Sequence, residues 1–260
     1  MDTILLPKKT SAKTKLPAIN ALWLQFNLPL QHGDIKHFRE AVLACLSDPT
    51  DRQIVSNEEP GENGSAKRIS RYPLVQFRSY RGRAAIFALQ QGADVIEKFL
   101  HHYCGQGAKK TFRWQGTAFP LTAMVKEKEN NISPRLINPK LKKEWPVYKL
   151  HTWLPFNKEN YNHWWKENRN LPDTEKTKKL EALLVNHLCT FIHHTGGHIP
   201  KKKIKLSILD KDRLKKVFYK NEGQVAYDLR YTVNLELPPY IGLGNHSAFG
   251  FGWQTREEEL

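Results

Sequence analysis

From Gln224 to Leu237 the chain alternates without a slip. Val225, Tyr227, Leu229, Tyr231, Val233, Leu235 and Leu237 fall on one face; Gln224, Asp228, Arg230, Thr232, Asn234 and Glu236 fall on the other. A period of two marks a β-strand with one buried face. Pro238-Pro239 ends it, because proline cannot donate to a ladder. Then comes Ile241-Gly242-Leu243-Gly244-Asn245-His246-Ser247-Ala248-Phe249-Gly250-Phe251-Gly252, two apolar–glycine units around a short polar bridge. Alternate glycines allow positive φ and close approach of backbone to a ligand. The same spacing equally suits a tight, glycine-bent hairpin that packs Leu243 and Phe251.

The remaining elements supply a sheet for that strand. Ala21 to Leu30 alternates as a first strand and leads through Gln31-His32-Gly33 to Asp34, an expected N-cap. A helix follows to about Leu46, with Ile35, Phe38 and Val42 as its buried stripe. Ser47 to Ser70 is polar and reads as a loop with a short strand near Ile54-Val55. Arg71 to Ser79 and Arg83 to Leu89 read as strands around an Arg81-Gly82 turn. A second helix opens at Gly92 and Asp94, and Thr111 to Lys126 reads as a strand bent at Gly116 and Pro120. Glu127 to Pro146, with its prolines, reads as a linker. The order then repeats: a strand over Val147 to Leu154, a short helix over Asn157 to Asn168, a long helix over Thr174 to Thr195 stopped by Gly196-Gly197, a strand over Ile204 to Leu209, and the long strand. The expected fold is α+β: two tandem ferredoxin-like (RRM-like) domains with antiparallel sheets and a C-terminal glycine-rich loop. The expected divisions are a basic flexible arm over 1–18, domains over 19–130 and 147–260, and a linker over 131–146.

Charge narrows the partner. Among 260 residues the formal net charge is +15, which points to a polyanion, most simply nucleic acid. No stretch is apolar enough to span a bilayer and no signal pattern opens the chain, so no membrane partner and a cytoplasmic location are expected. The three cysteines, Cys45, Cys104 and Cys189, are far apart and show no CxxC pairing, which argues against a disulfide framework or cysteine-based zinc site.

Common catalytic templates fail on context. His193, His194 and His198 cluster, but Gly196-Gly197 breaks the helix between them and no carboxylate is interleaved, so no metal and no cofactor are expected. His187 lies within the apolar stripe of the long helix and reads as a satisfied core histidine. The glycine stretch is followed by no helix, which disfavours ATP and NAD. Arg78, Arg81 and Arg83 crowd one hairpin tip; Lys201, Lys202 and Lys203 follow the long helix, and Lys211, Arg213, Lys215, Lys216 and Lys220 continue that surface. Beside a glycine-rich backbone carrying Asn245 and His246, these groups suit phosphate contact. Antiparallel sheets of this class bind single-stranded RNA. RNA brings its own nucleophile, the 2′-hydroxyl, and a protein need only align it, move protons and stabilise charge. Histidine suits the proton roles near neutral pH. His37 and His32, at the first strand-to-helix junction, are the candidates, with Lys36 nearby.

Gly242-Leu243-Gly244, five intervening residues, then Gly250-Phe251-Gly252, preceded by Leu237-Pro238-Pro239-Tyr240-Ile241, resembles the glycine-rich signature of the CRISPR-associated Cas-six endoribonucleases. Tyr72-Pro73-Leu74-Val75-Gln76-Phe77 and the following Gly92-Ala93 resemble the N-terminal half of one branch of that family. The resemblance implies two ferredoxin-like domains around a basic groove. It also implies metal-independent cutting of CRISPR precursor RNA within repeats, leaving a 2′,3′-cyclic phosphate and a 5′-hydroxyl. It implies CRISPR repeat RNA as partner, with other CRISPR effector or adaptation proteins besides, and a monomer or homodimer. It selects His37, then His32, as catalytic, with Lys36 third. No tyrosine stands in that first helix, so a His-Tyr-Lys trio does not carry over. The alternative within the same fold is a non-catalytic RNA-binding subunit of a CRISPR effector complex.

Overall fold

The computed structural model describes residues 16–60, 66–68, 71–132, 134–156, 158–212, 215–219 and 222–257. β1 (Ile19–Pro29) leads through a 3-10 turn at His32–Asp34 into α1 (Ile35–Cys45), followed by α2 (Pro49–Ser56) and a ribbon of β2 (Glu58–Pro60) and β3 (Ala66–Arg68). β4 (Val75–Tyr80) and β5 (Arg83–Leu89) form a hairpin; α3 (Gln91–Tyr103), a ribbon of β6 (Phe112–Trp114) and β7 (Thr117–Phe119), and β8 (Ala123–Ile132) complete this half. The sheet order is β4-β5-β1-β8, with every neighbouring pair antiparallel. That is the split βαβ arrangement expected from the element order. Arg81 and Gly82 both take positive φ, the conformation of a two-residue hairpin turn whose twist matches its strands.

Both faces of β1 are covered. Leu22, Leu24, Phe26 and Leu28 pack with Phe38, Val42, Ile96 and Phe99 of the two helices. Ile19, Ala21 and Trp23, on the opposite face, join a second core that includes Tyr148, Trp153, Leu184, Phe191 and Ile241. Each large apolar side chain so buried contributes roughly 1.5–3 kcal/mol. The outer face of the first sheet is therefore an interdomain surface.

The second half contains β9 (Arg135–Leu136), β10 (Val147–Trp153), α4 (Lys158–Asn168), α5 (Asp173–His194), β11 (Leu206–Lys211), β12 (Lys215–Tyr219), β13 (Glu222–Val233), β14 (Leu235–Glu236) and β15 (Trp253–Arg256). Its sheet runs β11-β13-β10-β15, all antiparallel, with β12 also on β13 and β9 pairing with β14. On α5, Leu180, Leu184, Leu188, Phe191 and Ile192 form the buried stripe. The helix stops as expected, with the Gly197 N–H donating to the Ile192 carbonyl at 2.8 Å.

Five expectations change. The polar stretch after Ser47 holds α2, because the Asp48 side chain accepts from the Thr50 and Asp51 N–H groups and Pro49 stands at the first turn. Asp34 makes no side-chain capping bond. The bent strand over Thr111 to Lys126 is a ribbon plus β8, turned at Gln115-Gly116 where φ is positive. The linker is partly sheet: β8 runs to Ile132, and Arg135-Leu136 pairs with Leu235-Glu236. Leu16, at the end of the expected arm, is buried in the second core; Lys8, Lys9, Lys13 and Lys15 lie outside the described residues.

The second half also departs from a full repeat. Between β13 and β15, where the expected pattern has a second crossover helix, the described chain carries Pro238-Pro239 and the glycine segment, with one 3-10 turn at Ser247–Phe249. Paired prolines and closely spaced glycines disfavour a helix there. No helix among the described residues is long and apolar enough to cross a membrane.

Candidate active site at the domain seam

The glycine segment folds back on itself. The Tyr240 N–H donates to Gln254 O at 2.9 Å, Gln254 N–H to Ile241 O at 3.1 Å, and Leu243 N–H to Gly252 O at 2.7 Å. Its tip is pinned to the end of β10 by the Asn245 N–H on the Leu154 carbonyl at 2.9 Å. Phe251 is 1% exposed and packs with Leu154 and Ala226, joined by the partly buried Val217 and Phe249.

The glycines answer to protein, not to open space. A Cβ on Gly242 would stand 2.7 Å from Gln76 Oε1, and one on Gly244 would stand 2.7 Å from the Leu154 carbonyl. On Gly250, at φ +82°, it would meet Ile35 Cδ1 at 3.0 Å and Arg78 Cβ at 3.2 Å; on Gly252 it would overlap the Leu243 carbonyl. Gly242, Gly250 and Gly252 are buried and Gly244 is half-buried. The missing Cβ at Gly242, Gly244 and Gly250 lets the segment approach β4, β10 and α1, and that at Gly252 lets it close on its own Leu243. Asn245 and His246, both half-buried, are the polar residues at its tip.

That docking draws α1 and the glycine segment into one seam. The Arg39 guanidinium lies 5.1 Å from the Phe249 ring centre and donates to the Ser56 carbonyl at 2.6 Å. His32 sets its imidazole edge-on to Phe251, with centroids 4.6 Å apart. His246 reaches the same ring from the segment itself, at 6.3 Å. His32, like His37, is a solvent-exposed residue, but desolvation of its imidazole lowers the pKa below the ordinary histidine value and so favours the neutral form. A neutral imidazole in that position can accept a proton.

His37 stands elsewhere. Its side chain is 59% exposed, with Nδ1 3.6 Å from Glu40 Oε2. It lines an open cleft of about 330 Å³ with Ala41, Arg113, Trp114, Gln115 and Gly116, beside the β6–β7 ribbon. Lys36 is exposed and pairs with Glu40 at 3.5 Å. The seam thus brings together His32, Asn245 and His246, and leaves His37 on another flank of α1.

The basic candidates divide. Arg78 is 1% exposed, which removes it from any solvent-facing role. Its Nη2 donates to Gln76 Oε1 at 2.9 Å, and its guanidinium lies 5.4, 5.7 and 5.7 Å from the ring centres of Trp23, Phe87 and Trp253. Burial pulls its pKa below the usual arginine range. The sequence groups Arg78 with the hairpin tip at Arg81 and Arg83, but it lies on the sheet face that the other domain covers, beside Trp253 of β15. Arg81 is exposed and Arg83 half-buried, at a tip close to His32: the Leu30 N–H donates to Gly82 O at 2.9 Å.

Lys201, Lys202 and Lys203 are exposed on a 3-10 turn at the far end of the second sheet. Lys203 O accepts from Asn234 Nδ2 at 3.0 Å, near the Leu206–Val233 pair, whereas Asn245 lies at the Leu154 end. At about 3.3 Å per strand residue those ends are roughly 20 Å apart. Lys211 is occupied by Asp173 and Thr177 at 2.8 and 2.7 Å; Arg213 and Lys220 lie outside the described residues, and of the Lys215 side chain nothing is described. Phe249, Phe251 and Arg39 were not among the expected site residues. The apolar–glycine alternation that brings the two rings to the seam was their one signal.

Comparison with known proteins agrees with this architecture. Residues 17–111 match the Cas6b N-terminal domain and residues 140–256 the Cas6b C-terminal domain. A solved structure described as Cas6b superposes with a TM-score of 0.67 at 17% identity, covering 92% of this chain and 100% of that one. A second, described as the CRISPR RNA processing endoribonuclease Cas6b, gives 0.60 at 15% identity over the same shares. The protein MJ0978 of Methanocaldococcus jannaschii, which carries no assigned function, is 26% identical over 137 residues, 53% of this chain and 84% of its own length. With both family domains matched in order along the chain, the protein belongs to the Cas6b family.

Proposed function

We propose that this protein cleaves CRISPR precursor RNA within its repeats, without a metal ion, leaving a 2′,3′-cyclic phosphate and a 5′-hydroxyl. The observation that carries the reading is the seating of His32 against Phe251 at the seam between the domains. Family membership and the +15 charge supply the substrate class. In this reading the RNA backbone enters the seam with a 2′-hydroxyl beside His32. The neutral imidazole takes the hydroxyl proton as the oxygen attacks the adjacent phosphorus. Arg81, Arg83 and Lys36 attract and steady the backbone, and Asn245, whose backbone N–H and Nδ2 both donate to Leu154 O, fixes the tip that faces it. Positioning supplies much of the rate, since nucleophile and phosphate belong to one molecule.

The test is incubation of the full chain with its repeat RNA in EDTA, with the ends of the products analysed. Specific cuts ending in a cyclic phosphate support the enzyme. Tight binding with the RNA left intact would favour the non-catalytic RNA-binding subunit instead. His32→Ala should slow cutting by about 10²-fold or more while binding persists. His37→Ala should stay within tenfold of the parent, because its cleft lies away from the glycine segment. The reverse ranking would move the chemistry to the His37 cleft.

A further inference from the structure

His246 sits at the tip of the glycine segment, on the opposite bank from His32. We propose that His246 is the second proton-transfer group of this site, giving a proton to the departing 5′-oxygen while His32 takes one from the 2′-hydroxyl. The proposal rests on the assignment of His32 just made.

Three observations carry it. First, both imidazoles pack on a single ring, with centroids 4.6 and 6.3 Å from that of Phe251. The two imidazole centres therefore stand no more than about 11 Å apart, close enough to flank a single phosphodiester linkage. They come from different domains, so they can flank a phosphate lying along the seam. An in-line displacement needs that arrangement, since nucleophile and leaving oxygen stand on opposite sides of phosphorus. Second, His246 takes φ +57°, a left-handed conformation uncommon outside glycine, though asparagine, aspartate and histidine enter it more readily than other residues. The bonds of Asn245 N–H to Leu154 O at 2.9 Å and Phe249 N–H to His246 O at 2.8 Å hold it there. A turn that only needed to bend would be served better by glycine; a backbone outlier kept at such a place points to the side chain. Third, His246 is half-buried with its Nδ1 buried, which leaves Nε2 as the nitrogen to meet a substrate and exchange a proton.

The step balances. The 2′-oxygen–phosphorus bond forms as the phosphorus–5′-oxygen bond breaks. One proton passes from the 2′-hydroxyl to His32 and one from protonated His246 to the 5′-oxygen. Proton exchange with water restores both rings, and no further reactant is needed.

A leaving-group substitution tests this. The cut site is first mapped with the parent protein; repeat RNA is then made with sulfur replacing the bridging 5′-oxygen at that linkage. A thiolate leaves without a proton, so loss of the acid matters little on the sulfur substrate. His246→Asn keeps a residue tolerant of positive φ, His246→Gly relieves the backbone altogether, and melting curves report their folding. On ordinary RNA, both variants should cut about 10²-fold slower than the parent, and on the sulfur RNA within about threefold of it. His32→Ala should be slow on both. Unimpaired cutting of ordinary RNA by His246→Asn, or equal slowing on both substrates, would overturn the role of His246 and leave His32 standing. A parent protein that cuts no repeat RNA at the mapping step would overturn both assignments.

Discussion

The Arg78 guanidinium lies 5.7 Å from the centre of the Trp253 ring, a contact that runs from β4 of the first sheet to β15 of the second. Trp23 and Phe87 face the same cation from the first sheet. Among the described residues its Nε and Nη1 have no hydrogen-bond partner, so these rings and Gln76 hold it. A desolvated cation over an aromatic face is worth up to about 2 kcal/mol or more. Replacing Arg78 by alanine empties a space between rings and should destabilise the chain by about 3 kcal/mol. Lysine should restore only part of this, since it cannot stack as a planar fork. Urea unfolding of both variants measures the effect, and an unchanged midpoint for the alanine variant would deny Arg78 this role.

The glycines should respond to alanine according to what their missing Cβ would meet. Gly242→Ala collides with Gln76 and Ser247, and Gly250→Ala combines positive φ with crowding by Ile35 and Arg78. Each should cost about 1–3 kcal/mol. Gly33 has negative φ and open space around it, so Gly33→Ala should stay within about 0.5 kcal/mol of the parent. Thermal melts of the three variants decide. Equal behaviour would show that the segment is not wedged as described.

His187 supplies a dependence of stability on pH. The Trp153 indole N–H donates to its Nδ1 at 3.2 Å, and burial pushes its pKa down to about 4 from 6.5. Above pH 6.5 the ring is neutral in folded and unfolded chains alike, and stability is at its full value. As pH falls from 6.5 towards 4, the unfolded chain takes up a proton that the folded chain refuses. Stability should therefore fall by up to roughly 3 kcal/mol across that window. His187→Gln keeps an acceptor for the indole without titrating. Its urea-unfolding free energy should be flatter between pH 7 and 4.5 than the parent's, and parallel curves would assign the proton to another group.

The lysine turn offers a measure of the RNA path. If the backbone runs from the seam along the second sheet, changing Lys201, Lys202 and Lys203 together to glutamine weakens binding. The slope of log affinity against log salt should then fall by about 2, the value for three lost contacts to a single strand. An unchanged slope would confine the RNA to the seam and the Arg81 hairpin.

Much of the fold was legible because burial leaves a period. The alternation in β1 and β13 and the stripe of α5 placed the main strands and the long helix. α2 escaped because the Asp48-Pro49 start signal lies in a stretch whose polarity masked it. Arg78 escaped for a different reason. Alternation separates two faces of a strand but does not say that both are covered, and here the second domain covers the face that reads as polar. The glycines pose the same difficulty in reverse. A missing Cβ looks alike in sequence whether the space is kept for RNA or for Gln76 and Ile35. Likewise, spacing placed His32 and His37 at one junction, and only the position of Phe251 separates them.

The order of strands in the second sheet carries a consequence for how the molecule is made. β8 completes the first sheet by Ile132, but β10 waits until Trp253–Arg256 before its outer edge is paired. During synthesis that edge remains an open template for another chain, and the contact closing it spans about a hundred residues. The glycine segment lies just ahead of β15, and its seat on β4 and α1 is formed by a domain that can fold much earlier. The first domain can thus act as the mould on which the second is finished. A nascent chain that stalls before Trp253 leaves β10 unpaired and the seam unclosed, which makes that interval the point in its manufacture most open to aggregation.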